Sequence, residues 1–175
     1  MTVDEFLAAY QAGRRNFQGI VLESANLFEC DIRSCDLSEA QLKGAYLPYA
    51  KLSRVRLTKA ILTGANIGNG FLQAVDLTRA DLTGAILTYI NLRGACLHGA
   101  SLYQANLYKA DLTGADLTGA DLRQANLNRA TLTKAQLTQT DLRGANLFRA
   151  QQINLNKAVC DRTTIGTDGY PLEIN

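Results

Sequence analysis

From Phe17 to Leu147 every fifth residue is Leu, Ile or Phe, 27 positions in succession without an exception. Two residues before each of them a small or apolar side chain dominates, most often Ala, as in Ala25, Ala40, Ala45, Ala110 and Ala115; Cys30, Cys35, Gly70, Ile90 and Thr140 take that place elsewhere. The other three residues of each unit are mostly polar. A helix turns about 100° per residue, so a five-residue step would move successive leucines about 140° around the axis and build no stripe. A continuous strand alternates its side chains with a period of two, so an odd repeat would send successive leucines to opposite faces.

The two apolar positions of a unit are two residues apart and share a face, whereas three residues separate a leucine from the next alanine. A corner is required there. Each five-residue unit is therefore one side of a polygon, with the Ala and Leu positions pointing inward. Coils stacked about 4.8 Å apart, hydrogen-bonded to those above and below, give a β-solenoid around a dry column.

The stretch from Ala110 to Leu127, ADLTGADLTGADLRQANL, shows the unit at its plainest, A(D/N)LXX. In this the chain resembles the pentapeptide-repeat family, many of whose members come from cyanobacteria, and the likeness runs over about residues 15 to 165. The resemblance implies an all-β, right-handed quadrilateral β-helix of four units, or about 20 residues, per coil and about seven coils. The asparagines agree with four sides. Of seven that directly precede the central apolar residue, Asn26, Asn66, Asn106, Asn126 and Asn146 fall in one class modulo 20, although a period of ten fits nearly as well. Glycines at the last position of a unit avoid that side.

Seven coils make a rod of roughly 30 to 35 Å. Its open ends are unpaired strand edges and need caps. Residues 1–14 are predicted to form the N-terminal one: Thr2-Val3-Asp4-Glu5 reads as a capping box, Val3, Phe6, Leu7 and Tyr10 follow at helical spacing, and Gly13 ends the helix. The β-helix is expected over 15–167, with a register break near 151–153, after which Leu155, Cys160 and Ile165 form a set shifted by two residues. Residues 168–175 read as a turn and tail. The family's C-terminal dimerisation helix has no counterpart here, so a monomer is expected, with end-to-end pairing through the last coil as the alternative.

Composition narrows the function by exclusion. Eighteen Lys and Arg against sixteen Asp and Glu leave a net charge of +2, which marks neither a nucleic-acid binder nor a polyanion mimic. The acidic MTVDEFLAAY start and the lack of any apolar run near 18 residues point to a cytoplasmic protein without a membrane anchor. Cys30, Cys35, Cys96 and Cys160 have neither metal-site nor disulfide-scaffold spacing and are expected as free thiols. His98, the single histidine, lies outward with no ligand or acid partner in sequence register. Nothing suggests a catalytic centre, a metal or another cofactor.

Two surface features remain. The side with the asparagines also collects Phe28, Tyr46, Tyr49, Tyr89, Tyr108 and Phe148, either as a protein-binding face or as a stack that merely stiffens a β-surface. No acid occurs between Glu39 and Asp76, where Lys51, Arg54, Arg56 and Lys59 gather near Arg33, either as a docking corner for acidic or phosphate groups or as solvated side chains. The reading is a non-enzymatic, rigid scaffold for a protein partner. The alternative that the resemblance supplies is a nucleic-acid mimic that binds a type II topoisomerase and protects it from quinolones; the balanced charge speaks against it.

Overall fold

The structure, a computed structural model, describes residues 1–173. Helix α1, Val3–Gln11, is followed by a right-handed quadrilateral β-helix. No side is an extended strand. Each contributes one bridge residue, the one just before the central apolar residue, and each bridge joins residue n to n+20 in parallel, from Asn16 with Asp36 to Thr131 with Gln151. A coil is thus 20 residues and the polygon has four sides, which removes the ten-residue alternative.

The backbone hydrogen bonds repeat with the same period. In the unit around Leu22, the Leu22 and Ser24 amides donate to Gln41 and Lys43 in the next coil, both at 2.8 Å, and the Gln41 amide donates back to Ile20 at 2.8 Å. The Ala25 amide closes the corner on the Leu22 carbonyl at 3.2 Å. The second residue of each corner is left-handed. Among non-glycine residues it has φ between 53° and 61°, as at Ser24, Tyr49, Arg54, Ala74 and Tyr89, a region most side chains avoid. Glycine relieves it at nine corners, including Gly19 and Gly114.

Central and small positions both point inward. Leu82, Leu102, Leu112 and Leu122 are fully buried, as are Ala60, Ala85 and Ala115. Cys30 and Cys35 take alanine positions inside the column. Thr140, the polar exception, is also buried, and its hydroxyl donates to the Leu117 carbonyl of the preceding coil at 2.7 Å. Near the N-terminal end the column leaves a void of about 10 Å³, about the least that holds one water, and its lining of Phe6, Leu22, Leu27 and other apolar side chains offers a water no hydrogen bond.

Both ends are closed by side chains or turns. Thr2 and Glu5 form the reciprocal capping box, with the Thr2 amide 2.8 Å from Glu5 and the Glu5 amide 3.2 Å from Thr2. Phe6 is the one fully buried residue of α1; its ring meets Phe17 edge-on at 4.7 Å, while Val3, Leu7 and Tyr10 are partly buried around it. At the other end the coil shortens: Asp141 bridges Val159, 18 residues on, and Asn146 bridges Ile165, 19 on. Cys160 packs against the core as expected, but Ile165 stands at a bridge position and Thr164 takes the buried place, its hydroxyl donating to the Leu142 carbonyl at 3.0 Å. One residue gained between Val159 and Ile165 moves the isoleucine out of the inward register. The chain then doubles back, with an antiparallel bridge from Ile165 to Pro171 and a 2.7 Å bond from the Gly166 amide to the Tyr170 carbonyl. Of the tail expected over 168–175, the last two residues lie outside the described ones.

Burial of the leucines predicts that Leu122→Ala lowers unfolding free energy by about 2–5 kcal/mol in urea titrations, and that Leu122→Lys gives no folded protein. A loss below about 1 kcal/mol for the alanine variant would contradict a closely packed column. Deleting residues 1–13 removes Phe6 from the first coil; the truncated chain is expected to melt at lower temperature and to associate with rising concentration in light scattering.

Candidate protein-interaction surfaces

Each five-residue unit has one amide that no backbone carbonyl reaches, that of the residue following the central leucine. Where Asn or Asp precedes that leucine, its side chain takes the orphan. The Ser38, Thr78, Thr83, Thr113 and Thr118 amides donate to Asp36, Asp76, Asp81, Asp111 and Asp116 at 2.9–3.0 Å. The asparagines do the same on their side: Asn26 holds the Phe28 amide at 3.2 Å, Asn106 that of Tyr108 at 3.2 Å, and Asn146 that of Phe148 at 2.9 Å. Asparagine suits a stacked column because it also donates, as Asn126 does to Asn106 at 3.1 Å. Tyr46 needs no such role. The residue two after it is Pro48, which has no amide hydrogen.

On this side the structure assembles the expected aromatics into separate groups. Phe28 stacks on Tyr46 at 6.1 Å and meets Tyr49 edge-on at 5.9 Å. Two coils further, Tyr89 meets Tyr108 edge-on at 5.6 Å, and the Lys109 ammonium lies 5.1 Å from the first ring and 5.5 Å from the second. Between the groups the same positions carry Asn66, Gly68 and Asn69, leaving a low saddle. Phe148 lies apart, half-buried against the tail: a β-carbon at Gly169 would sit 3.0 Å from its ring. Phe28, Tyr46, Tyr49 and Tyr89 remain 47%, 45%, 46% and 50% exposed. Phe71, exposed on the following side, is an aromatic the side-by-side sorting of the sequence did not pick out; its place one unit beyond Asn66 was the available signal.

The basic residues do not all converge. Arg33 forks onto Asp31 at 2.7 and 2.8 Å, Lys51 lies 3.9 Å from the same carboxylate, and Arg56 pairs with Asp36 at 2.9 Å. Arg54 makes no ion pair among the described residues, and Lys59 sits at the far edge of the side that Arg56 begins. Arg15, which the sequence reading passed over, joins Arg33 and Arg54 along a groove. The available signal was an arginine two residues before Phe17, where the repeat elsewhere carries a small side chain.

Chemistry is sparse. Burial pushes the Cys30 thiol up to about 12 and the Cys35 thiol up to about 11, so neither is a thiolate near neutral pH. Among the described residues no group of three or more His, Cys, Asp or Glu side chains is placed to hold a metal ion, and no helix is long and apolar enough to cross a membrane.

The model of pentapeptide repeats matches eight copies over residues 35–73, 76–114 and 110–147, and the chain belongs to this family. No curated protein matches it significantly. Among solved structures, QnrB1, a plasmid-mediated fluoroquinolone resistance protein, is 18% identical over 90% of this chain and 89% of its own, with a TM-score of 0.59. HetL, involved in heterocyst differentiation regulation in the cyanobacterium Nostoc sp. strain PCC 7120, is 30% identical over 98% of this chain and 100% of its own, with a TM-score of 0.28. Rfr23 from the cyanobacterium Cyanothece 51142 is 24% identical over 91% and 100%, with a TM-score of 0.45.

The aspartate bonds make stability depend on pH. Partial burial raises the carboxyls of Asp76, Asp81, Asp111 and Asp116, but hydroxyl and amide bonds from the threonine two residues on outweigh it and hold them below the ordinary value. The guanidiniums of Arg123 and Arg143 do the same for Asp121 and Asp141. Lowered folded values mean that this stability is fully present above the unfolded value of about 3.9 and is lost as pH falls through the folded ones. The melting temperature is therefore expected to hold steady from pH 7 to about 5 and to fall below about pH 4. A flat profile down to about pH 2.5 would mean the ladder contributes nothing.

Proposed function

We propose that this protein is a non-enzymatic, rigid scaffold that binds a protein partner through the side carrying the asparagine ladder. The observation that carries the reading is that the side holds its aromatics out. Phe28 and Tyr108 extend from backbone fixed by Asn26 and Asn106, and Tyr49 and Tyr89 occupy left-handed corners where glycine would be less strained. Rigid, half-exposed tyrosines lose little entropy on binding and are common interface anchors. The Tyr89, Tyr108 and Lys109 cluster offers both an apolar surface and a cation.

Replacing Tyr49, Tyr89 and Tyr108 together by Ser is expected to abolish partner capture from host extract, quantified by mass spectrometry, while the melting temperature changes little. Interface aromatics often contribute about 2 kcal/mol or more each, so the loss would be large. The matched change of Thr58, Thr78 and Thr118 to Ser on another side is expected to leave capture intact. Equal effects from both triples would return the tyrosines to a structural role. Quinolone protection of a topoisomerase is the second reading; likeness of fold to QnrB1 supports it, while a net charge of +2 is a poor imitation of DNA. A gyrase supercoiling assay with a quinolone separates the two.

A further inference from the structure

At the corner after Ile32, Leu52 and Leu72, successive coils place Arg33-Ser34, Ser53-Arg54 and Gln73-Ala74 directly above one another. The order of large and small alternates: the arginine is first in one coil and second in the next. Two serines and an alanine therefore form a low floor with guanidiniums on either flank. The groove, of about 630 Å³, is closed at its N-terminal end by Tyr10 and Arg15. A smaller one of about 240 Å³ shares Arg15, Ser34 and Arg54 and reaches Arg56.

The walls are held in place. The Tyr10 hydroxyl donates to the Arg33 carbonyl at 3.0 Å, and the Arg15 guanidinium lies 4.0 Å over the Tyr10 ring while one of its nitrogens donates to the Tyr10 carbonyl at 2.7 Å. Arg15 and Arg54 have no carboxylate partner among the described residues, and Asp31 and Asp36 answer only Arg33, Lys51 and Arg56. Because residues 40–75 contain no acid, an unbalanced positive field lies over this corner.

We propose that this groove binds an acidic peptide segment of a partner protein, a short run of Glu or Asp lying along the rod axis. Three coils and the cap span roughly 10 to 15 Å, the length of three or four extended residues at about 3.3 Å each. The arginines are spread along that line instead of converging on one point, which suits carboxylates at intervals better than a single phosphate. The guanidiniums of Arg15 and Arg54, free of carboxylate partners among the described residues, match carboxylates in two-point geometry, Arg33 adds positive charge from its pair with Asp31, and Ser34 and Gln73 add neutral partners. A duplex demands cations over a much broader area, whereas the preceding side is the uncharged asparagine side and the following one alternates Asp36, Arg56 and Asp76. The site is separate from the aromatic side, so either can fail without the other.

Serine already occupies both kinds of corner position, at Ser53 and Ser34, so Arg33→Ser and Arg54→Ser leave the fold available. Fluorescence anisotropy with a fluorescein-labelled hexaglutamate peptide at about 20 mM salt is expected to show saturable binding to the full chain, lost at about 500 mM. The Arg33→Ser/Arg54→Ser double variant is expected to weaken it at least tenfold. Arg79→Ser/Arg129→Ser, an equal change of charge at left-handed corners elsewhere, is expected to stay within twofold. No saturable binding, equal losses in both doubles, or binding of a DNA duplex of about 20 base pairs as tight as that of the peptide would overturn the proposal. Displacement of the peptide by pyrophosphate at equal or lower concentration would assign the groove to a small phosphate compound and overturn it likewise.

Discussion

One unanswered amide in every five residues governs this molecule. Stacking at the β-spacing and closing a corner satisfy four of the five backbone donors in a unit, and the geometry leaves the fifth pointing along the surface. A short side chain two residues earlier, ending in an oxygen, reaches it. This is why Asp and Asn stand before the leucine so often; at Tyr46 the residue two on is Pro48, so no donor is left unanswered. The repeat formula is the chemical record of that single donor.

The same constraint organises charge. An acceptor is wanted at that position, yet carboxylates stacked one coil apart repel. Aspartates therefore alternate with other residues: Arg56 and Cys96 interleave with Asp36, Asp76 and Asp116. Where Asp121 and Asp141 do stack, Arg123 and Arg143 bind them at 2.7 and 2.6 Å. Another side uses asparagine, whose amide can both accept and donate, and so carries an uninterrupted run of Asn106, Asn126 and Asn146 without charge. That neutral column is where the aromatics stand.

The period of five made the column, the corners and the inward cysteines legible in the sequence, because spacing alone decides what faces the axis. The capping box and Phe6 were legible for a similar reason, being local patterns with one geometric solution. Which surface groups touch was not. Phe28, Tyr46 and Tyr49 meet, Tyr89 and Tyr108 meet, and the two sets stay apart because small residues intervene at Asn66 and Gly68, a fact of side-chain size that side assignment ignores. Arg15 escaped notice because it stands two residues before Phe17, where the repeat elsewhere puts a small inward side chain, and Ile165 was displaced because the shortened last coil follows no fixed period.

Position on the surface is addressed in this fold by residue number modulo 20, and that has a consequence for changes of length. Losing or gaining one whole coil preserves every side and only moves the two tyrosine groups nearer or farther, by about 4.8 Å. Losing one five-residue unit between Tyr49 and Tyr89 keeps the column as well packed as before, yet turns everything beyond it by a quarter revolution. Tyr49 and Tyr89 would then face different directions on a molecule of unchanged core. Changes of length that a folding assay would score as silent can thus dismantle a surface, and the chain can acquire new faces by slippage while its interior stays as it was.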